Sequence, residues 1–177
     1  MSEIQENLLK IEAYMKQNKT RKKIYLFLDF DGVINVFHQY DTYTEEEKIK
    51  LDNEKFEFAD KRCIARLNKL CEDYPIHIII SSSWRFGRLR GCRKYLKEAG
   101  FLYPLKIKDT TQIKTFQDRQ LDIEQYLLEH QDYKGFIILD DIEMKDLNKY
   151  LVHTDPFIGY SKERDNYARK IIESFNN

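Results

Sequence analysis

The sequence predicts a single α/β domain: a doubly wound parallel sheet with helices on both faces and no large cap domain. Three observations carry this. Ile24–Leu28, Ile76–Ile80 and residues 136–139 are largely apolar runs bounded by polar residues, as strands buried on both faces are. Segments with helical spacing lie between them, and strands alternating with helices imply right-handed crossovers and a parallel sheet. The 177 residues are enough for one full core and too few for two ordinary domains.

Ile4, Leu8, Ile11 and Met15 recur at helical spacing with charges between them, so residues 1–23 begin with an amphipathic helix that packs on the domain and ends at the basic run 19–23. The three strong strands follow in turn, with shorter strands expected at 105–107 and 150–153. Helical patterns fall on Ile64, Leu67 and Leu70, then on Leu89, Cys92 and Leu96. Two more fall on Ile123 and Leu127, and on Ala168, Ile171, Ile172 and Phe175. Residues 36–55, polar and rich in Glu, Lys and Tyr, read as a surface excursion with one helix over 44–51. There is no internal repeat.

Thirty basic residues balance thirty acidic ones, so no global field draws the chain to nucleic acid or anionic lipid. The N-terminus has acidic residues before basic ones and no unbroken apolar stretch, which predicts a cytoplasmic protein without membrane anchor and leaves non-classical export open. Cys63, Cys71 and Cys92 are odd in number and lack C-x-x-C spacing, as expected of buried helical thiols rather than a disulfide framework or zinc site. His38, His77, His130 and His153 show no metal-ligand spacing, and His77 reads as a core residue.

Ligands of open parallel sheets collect at the carboxyl ends of the strands, and the three strong strands all end in polar residues. These are Asp29-Phe30-Asp31-Gly32, Ser81-Ser82-Ser83-Trp84-Arg85 and Asp140-Asp141. Four carboxylates at one sheet edge repel one another unless a hard cation such as Mg²⁺ sits among them. In that setting Asp29 can attack phosphorus, and Asp31 can protonate the leaving oxygen and then activate water. Gly32 allows the tight turn between them, and the Ser81 hydroxyl can hold a phosphoryl oxygen.

Together, YLFLDFDGVIN, IHIIISSSWR and FIILDD resemble the first, second and fourth motifs of the haloacid dehalogenase superfamily, in order and over nearly the whole of residues 24–177. The S-S-S-W-R run, followed by Thr110 or Thr111, Arg119 and L-D-D, is similar to a small capless subgroup. The resemblance implies that Asp29 is nucleophile and metal ligand, and that Asp31 is acid/base and lends its carbonyl to the metal. It implies too that Asp140 or Asp141 completes the metal shell. The basic third motif falls on Arg119 first and Lys114 second.

Blander roles compete for several of these residues. Ser82 suits strand-to-helix capping as well as phosphate binding, and one of Asp140 and Asp141 suits capping of residues 142–149. Trp84 reads as packed. Arg85 serves either a substrate or an ion pair with the acidic centre, and the basic cluster 85–94 is a solvated helix face or a polyanion contact. The expected function is a Mg²⁺-dependent phosphomonoester hydrolase with an aspartyl-phosphate intermediate. Its open site suits a phosphoprotein or a nucleic-acid end, because no complete cap domain fits between the motifs. The alternatives are a small-metabolite phosphatase with a lid from another subunit, a non-catalytic Mg²⁺- or phosphate-binding module, and a receiver domain. Motif order disfavours the last, and retention of both Asp29 and Asp31 disfavours the binding module.

Overall fold

The computed structural model describes residues 3–37, 45–46, 59–112 and 118–176. Five strands form one sheet, all parallel: β1 (Ile24–Leu28), β2 (Ile76–Ile80), β3 (Ile107–Thr110), β4 (Gly135–Asp140) and β5 (Leu151–His153), in the order β3-β2-β1-β4-β5. Among the described residues five α-helices surround it: α1 (Glu3–Gln17), α2 (Lys61–Asp73), α3 (Arg88–Glu98), α4 (Arg119–Glu129) and α5 (Lys162–Ser174). The doubly wound α/β fold expected from the sequence is the fold observed.

Successive residues on a strand point to opposite faces, so neighbours in register share one. Tyr25 and Phe27 pack edge to ring with Tyr126 of α4, Phe136 packs so with Phe27 and Tyr133, and Tyr25 and Tyr14 of α1 meet Tyr133 at a tilt. On the other face Ile24 is paired with Gly135, where an added Cβ would stand 2.4 Å from the Phe175 ring just beyond α5. Helices therefore cover both faces, and every residue of β1 and β4 is buried.

Ile11 anchors α1 in the core, and Glu12 accepts from Tyr150 Oη at 2.9 Å. Cys63, Cys71 and Cys92 are free, buried and helical, as read from the sequence. Among the described residues no helix is long and apolar enough to cross a membrane.

The third strand is displaced from the expected 105–107. Pro104 opens a 3-10 turn over Pro104–Lys106, Leu105 is 81% exposed, and pairing with β2 begins only at Ile107. Residues 142–149 do not form the α-helix considered for them. A turn and a short 3-10 segment, Asn148–Tyr150, lead directly into β5. Most of the excursion 36–55, with the helix expected over 44–51, lies outside the described residues, as do His38 and Lys114.

Candidate active site

Parallel register brings the polar strand ends to one edge. Leu28 lies level with Ile80 on one side and Leu139 on the other, so Asp29, Ser81 and Asp140 follow at the same height. The ladder runs one bond further, with Asp29 N–H donating to Leu139 O at 3.0 Å, Ser81 N–H to Leu28 O at 3.1 Å and Thr111 N–H to Ile80 O at 3.0 Å. The backbone is thus rigid up to the first residue of each motif.

At this edge Asp29, Asp140 and Asp141 each offer a carboxylate oxygen, all within 4.8 Å of one another. Asp29 and Asp140 are buried; Asp141 is half-buried. Arg119 is the first residue of α4, which Asp118 caps by accepting from Leu121 N–H at 3.3 Å. Its Nη1 donates to both Asp29 Oδ2 and Asp140 Oδ2, the latter at 2.6 Å. Burial alone would lower the Arg119 pKa, but Asp140 and Asp29 overcome it and hold the guanidinium charged. Asp140 is pushed up to about 7, first by burial and then by the charge of Asp29, against the pull of Arg119. Burial and Asp29 also raise Asp141. Three hard oxygen donors whose negative charge is costly without a cation are a fit for Mg²⁺.

Gly32 makes this crowding feasible. Its φ is +73°, and a Cβ there would lie 2.5 Å from Asp141 Oδ2. Its carbonyl accepts from Thr154 Oγ1 at 2.8 Å, which ties the turn to the residue after β5. His153, given no role from sequence, places Nε2 2.9 Å from Asp141 O. Asp140 Oδ1 accepts from Ile142 N–H at 3.0 Å, so this residue performs a local capping bond while its other oxygen faces Arg119.

The Asp31 side chain stands outside the three-carboxylate group. Its Oδ1 accepts from Asn35 Nδ2 at 2.9 Å and its Oδ2 from the Trp84 indole Nε1 at 2.8 Å. Asn35 Oδ1 in turn accepts from Tyr95 Oη. Trp84 is packed, as the sequence suggested, against Phe30 and Tyr95 with centroids at 5.6 and 4.6 Å. It also holds Asp31, which the sequence did not indicate; the signal available was only an aromatic residue directly after a run of three serines.

The two serines differ. Ser82 Oγ caps the following 3-10 turn, Ser83–Gly87, by accepting from Trp84 N–H at 3.3 Å. Ser81 Oγ is fully buried and has no hydrogen-bond partner among the described residues, as is true of Thr111 Oγ1 at the end of the neighbouring strand. Arg85 feels the charge of Asp29 but makes its ion pair elsewhere. Its Nη2 pairs with Asp122 of α4 at 2.8 Å, and its Nη1 donates to the carbonyls of Ser81 and Ser82. In the basic cluster after Trp84, Arg93 Nε donates to Ile107 O at 2.9 Å, whereas Arg88 and Arg90 are exposed.

No curated protein and no solved structure matches this chain. Residues 25–164, from β1 into α5, match the family described as the HAD domain in Swiss Army Knife RNA repair proteins. HAD membership supports hydrolase chemistry of the phosphatase type in general, and with more than half its length matched the chain belongs to this family.

Proposed function

We propose that this protein is a Mg²⁺-dependent phosphomonoesterase that works through an aspartyl phosphate at Asp29. The observation that carries the reading is the grouping of Asp29, Asp140 and Asp141 around Arg119 at the carboxyl edge of the sheet. Asp29, Asp140 and Asp141 would hold the metal by their side chains and Asp31 by its carbonyl. Bound there, Mg²⁺ supplies charge neutralisation for the phosphoryl oxygens.

In the first step an Asp29 carboxylate oxygen bonds to phosphorus as the bond to the leaving oxygen breaks, and Asp31 gives its proton to that oxygen. In the second, Asp31 takes a proton from a water whose oxygen attacks phosphorus, which releases phosphate and restores Asp29. Arg119 compensates negative charge on the phosphoryl group, and the unpartnered Ser81 hydroxyl donates to one of its oxygens.

The substrate in this reading is macromolecular. A chain without a complete cap covers its site poorly, so binding energy must come from contacts beyond the phosphate. The matched family's RNA repair description supports a nucleic-acid end over a phosphoprotein. The test is turnover of oligonucleotide phosphates, phosphopeptides and sugar phosphates by the parent protein, Asp29→Asn and Asp31→Asn. Both variants should fold and lose turnover by at least a hundredfold, with Asp31→Asn losing most on poor leaving groups. Parent-level activity in Asp29→Asn would refute the covalent mechanism.

A further inference from the structure

The acid that protonates a leaving oxygen must stand beside the leaving group, so whatever is bonded to that acid lines the leaving-group side of the site. Resting on the reading of Asp31 as that acid, this places Trp84 there, because its Nε1–H donates to Asp31 Oδ2 at 2.8 Å. The ring is held rigidly by Phe30 and Tyr95, yet Trp84 remains 36% exposed. An aromatic surface already fixed by packing loses little conformational freedom when a second ring stacks on it. We propose that Trp84 is a specificity-determining residue that stacks on the base of the terminal nucleotide whose phosphate Asp29 attacks.

The chemistry of base recognition and one further observation fit a nucleotide rather than another planar leaving group. Base stacking on aromatic side chains is the sequence-tolerant way in which proteins hold single-stranded ends. Four residues further along the chain Arg88 is exposed, at φ 65° and ψ 155°, a backbone region almost confined to glycine. Its backbone N–H bonds to Arg85 O, and Cys92 Sγ lies 3.6 Å from Trp84 O, so the start of α3 sits directly behind the tryptophan. A cation there suits the phosphodiester next to a stacked terminal base.

Trp84 is the only tryptophan in the chain, so its fluorescence reports the contact directly. Asp29→Asn protein with Mg²⁺ is titrated with a short oligoribonucleotide carrying a terminal phosphate, its unphosphorylated twin, a phosphotyrosine peptide and inorganic phosphate. The phosphorylated oligonucleotide should quench at a concentration about tenfold below the peptide, and inorganic phosphate should leave the emission nearly unchanged. In steady state, Trp84→Phe keeps a ring and loses the N–H, so kcat should fall with KM nearly kept. Trp84→Leu also loses the ring, and should raise KM about tenfold for the oligonucleotide but not for glycerol phosphate. A merely structural tryptophan would change both substrates alike.

Tighter quenching by the phosphotyrosine peptide, or an unchanged oligonucleotide KM in Trp84→Leu, would overturn the assignment. If the parent protein hydrolyses none of these compounds, the phosphatase reading fails, while quenching in Asp29→Asn still decides the base contact.

Discussion

Arg85 and Asp122 form an ion pair of 2.8 Å whose side chains are 8% and 0% exposed. It joins the loop after β2 to the first turn of α4, one helical turn from Arg119, while the other arm of the guanidinium holds the carbonyls of Ser81 and Ser82. The pair therefore ties Ser81 to the helix that carries Arg119. Removing one partner of a buried pair leaves an uncompensated charge, at a cost of about 3–5 kcal/mol. Asp122→Ala should lower stability by about this amount in chemical denaturation. Asp122→Asn, which keeps an acceptor for Arg85, should lose less. Equal stability of the parent and Asp122→Ala would show that the pair is not a structural tie.

Gly32→Ala tests the close approach of the first turn to Asp141. Its φ of +73° and a Cβ placed 2.5 Å from Asp141 Oδ2 make the substitution strained on two counts. The expected loss is about 1–3 kcal/mol of stability, together with weaker Mg²⁺ binding because Asp141 must move. Calorimetric titration of the folded variant with Mg²⁺ checks the second part; parent-like affinity would contradict it.

Metal-free protein should gain stability as pH falls through about 7. Asp140, raised by burial and by Asp29, binds a proton in the folded state that an ordinary carboxylate binds only near pH 4, so this contribution is lost as pH rises through 7. Burial raises Asp141 and Glu124 in the same direction, while it lowers His77 and so favours the opposite trend. The measurement is therefore a difference. Between pH 8 and 5.5 in chelator, the parent should gain more in Tm than Asp140→Asn, by about 2–4 °C for each kcal/mol. The same gain in both proteins would remove Asp140 as the cause.

Magnesium competes with that proton, so its affinity should rise with pH across the same interval. Turnover should stop reversibly in chelator and be inhibited by Ca²⁺, whose demand for more oxygen ligands would engage Asp29 more fully and hinder its proposed attack on phosphorus. Full activity in excess chelator would exclude a metal role.

Strands β1 and β2 were legible residue for residue, because a strand buried on both faces is largely apolar, with only the half-buried His77 interrupting β2. The ends of β1, β2 and β4 also marked the candidate site, since a parallel sheet sends all its carboxyl ends to one edge. β3 was less readable. Its sequence Ile-Lys-Asp-Thr lies at the sheet edge with only Ile107 buried, and the apolar Leu105 next to it belongs to a turn.

Sequence by itself determined the fold class and the residues at the strand ends, because burial pattern and chain order are local properties of a doubly wound sheet. Tertiary structure alone decided how those residues are shared out. It set Arg119 across Asp29 and Asp140, paired Arg85 with Asp122, and put the Trp84 indole on Asp31. These are contacts between side chains 21 to 90 residues apart. Their choice depends on distance and direction in the folded chain, which no run of neighbouring residues encodes.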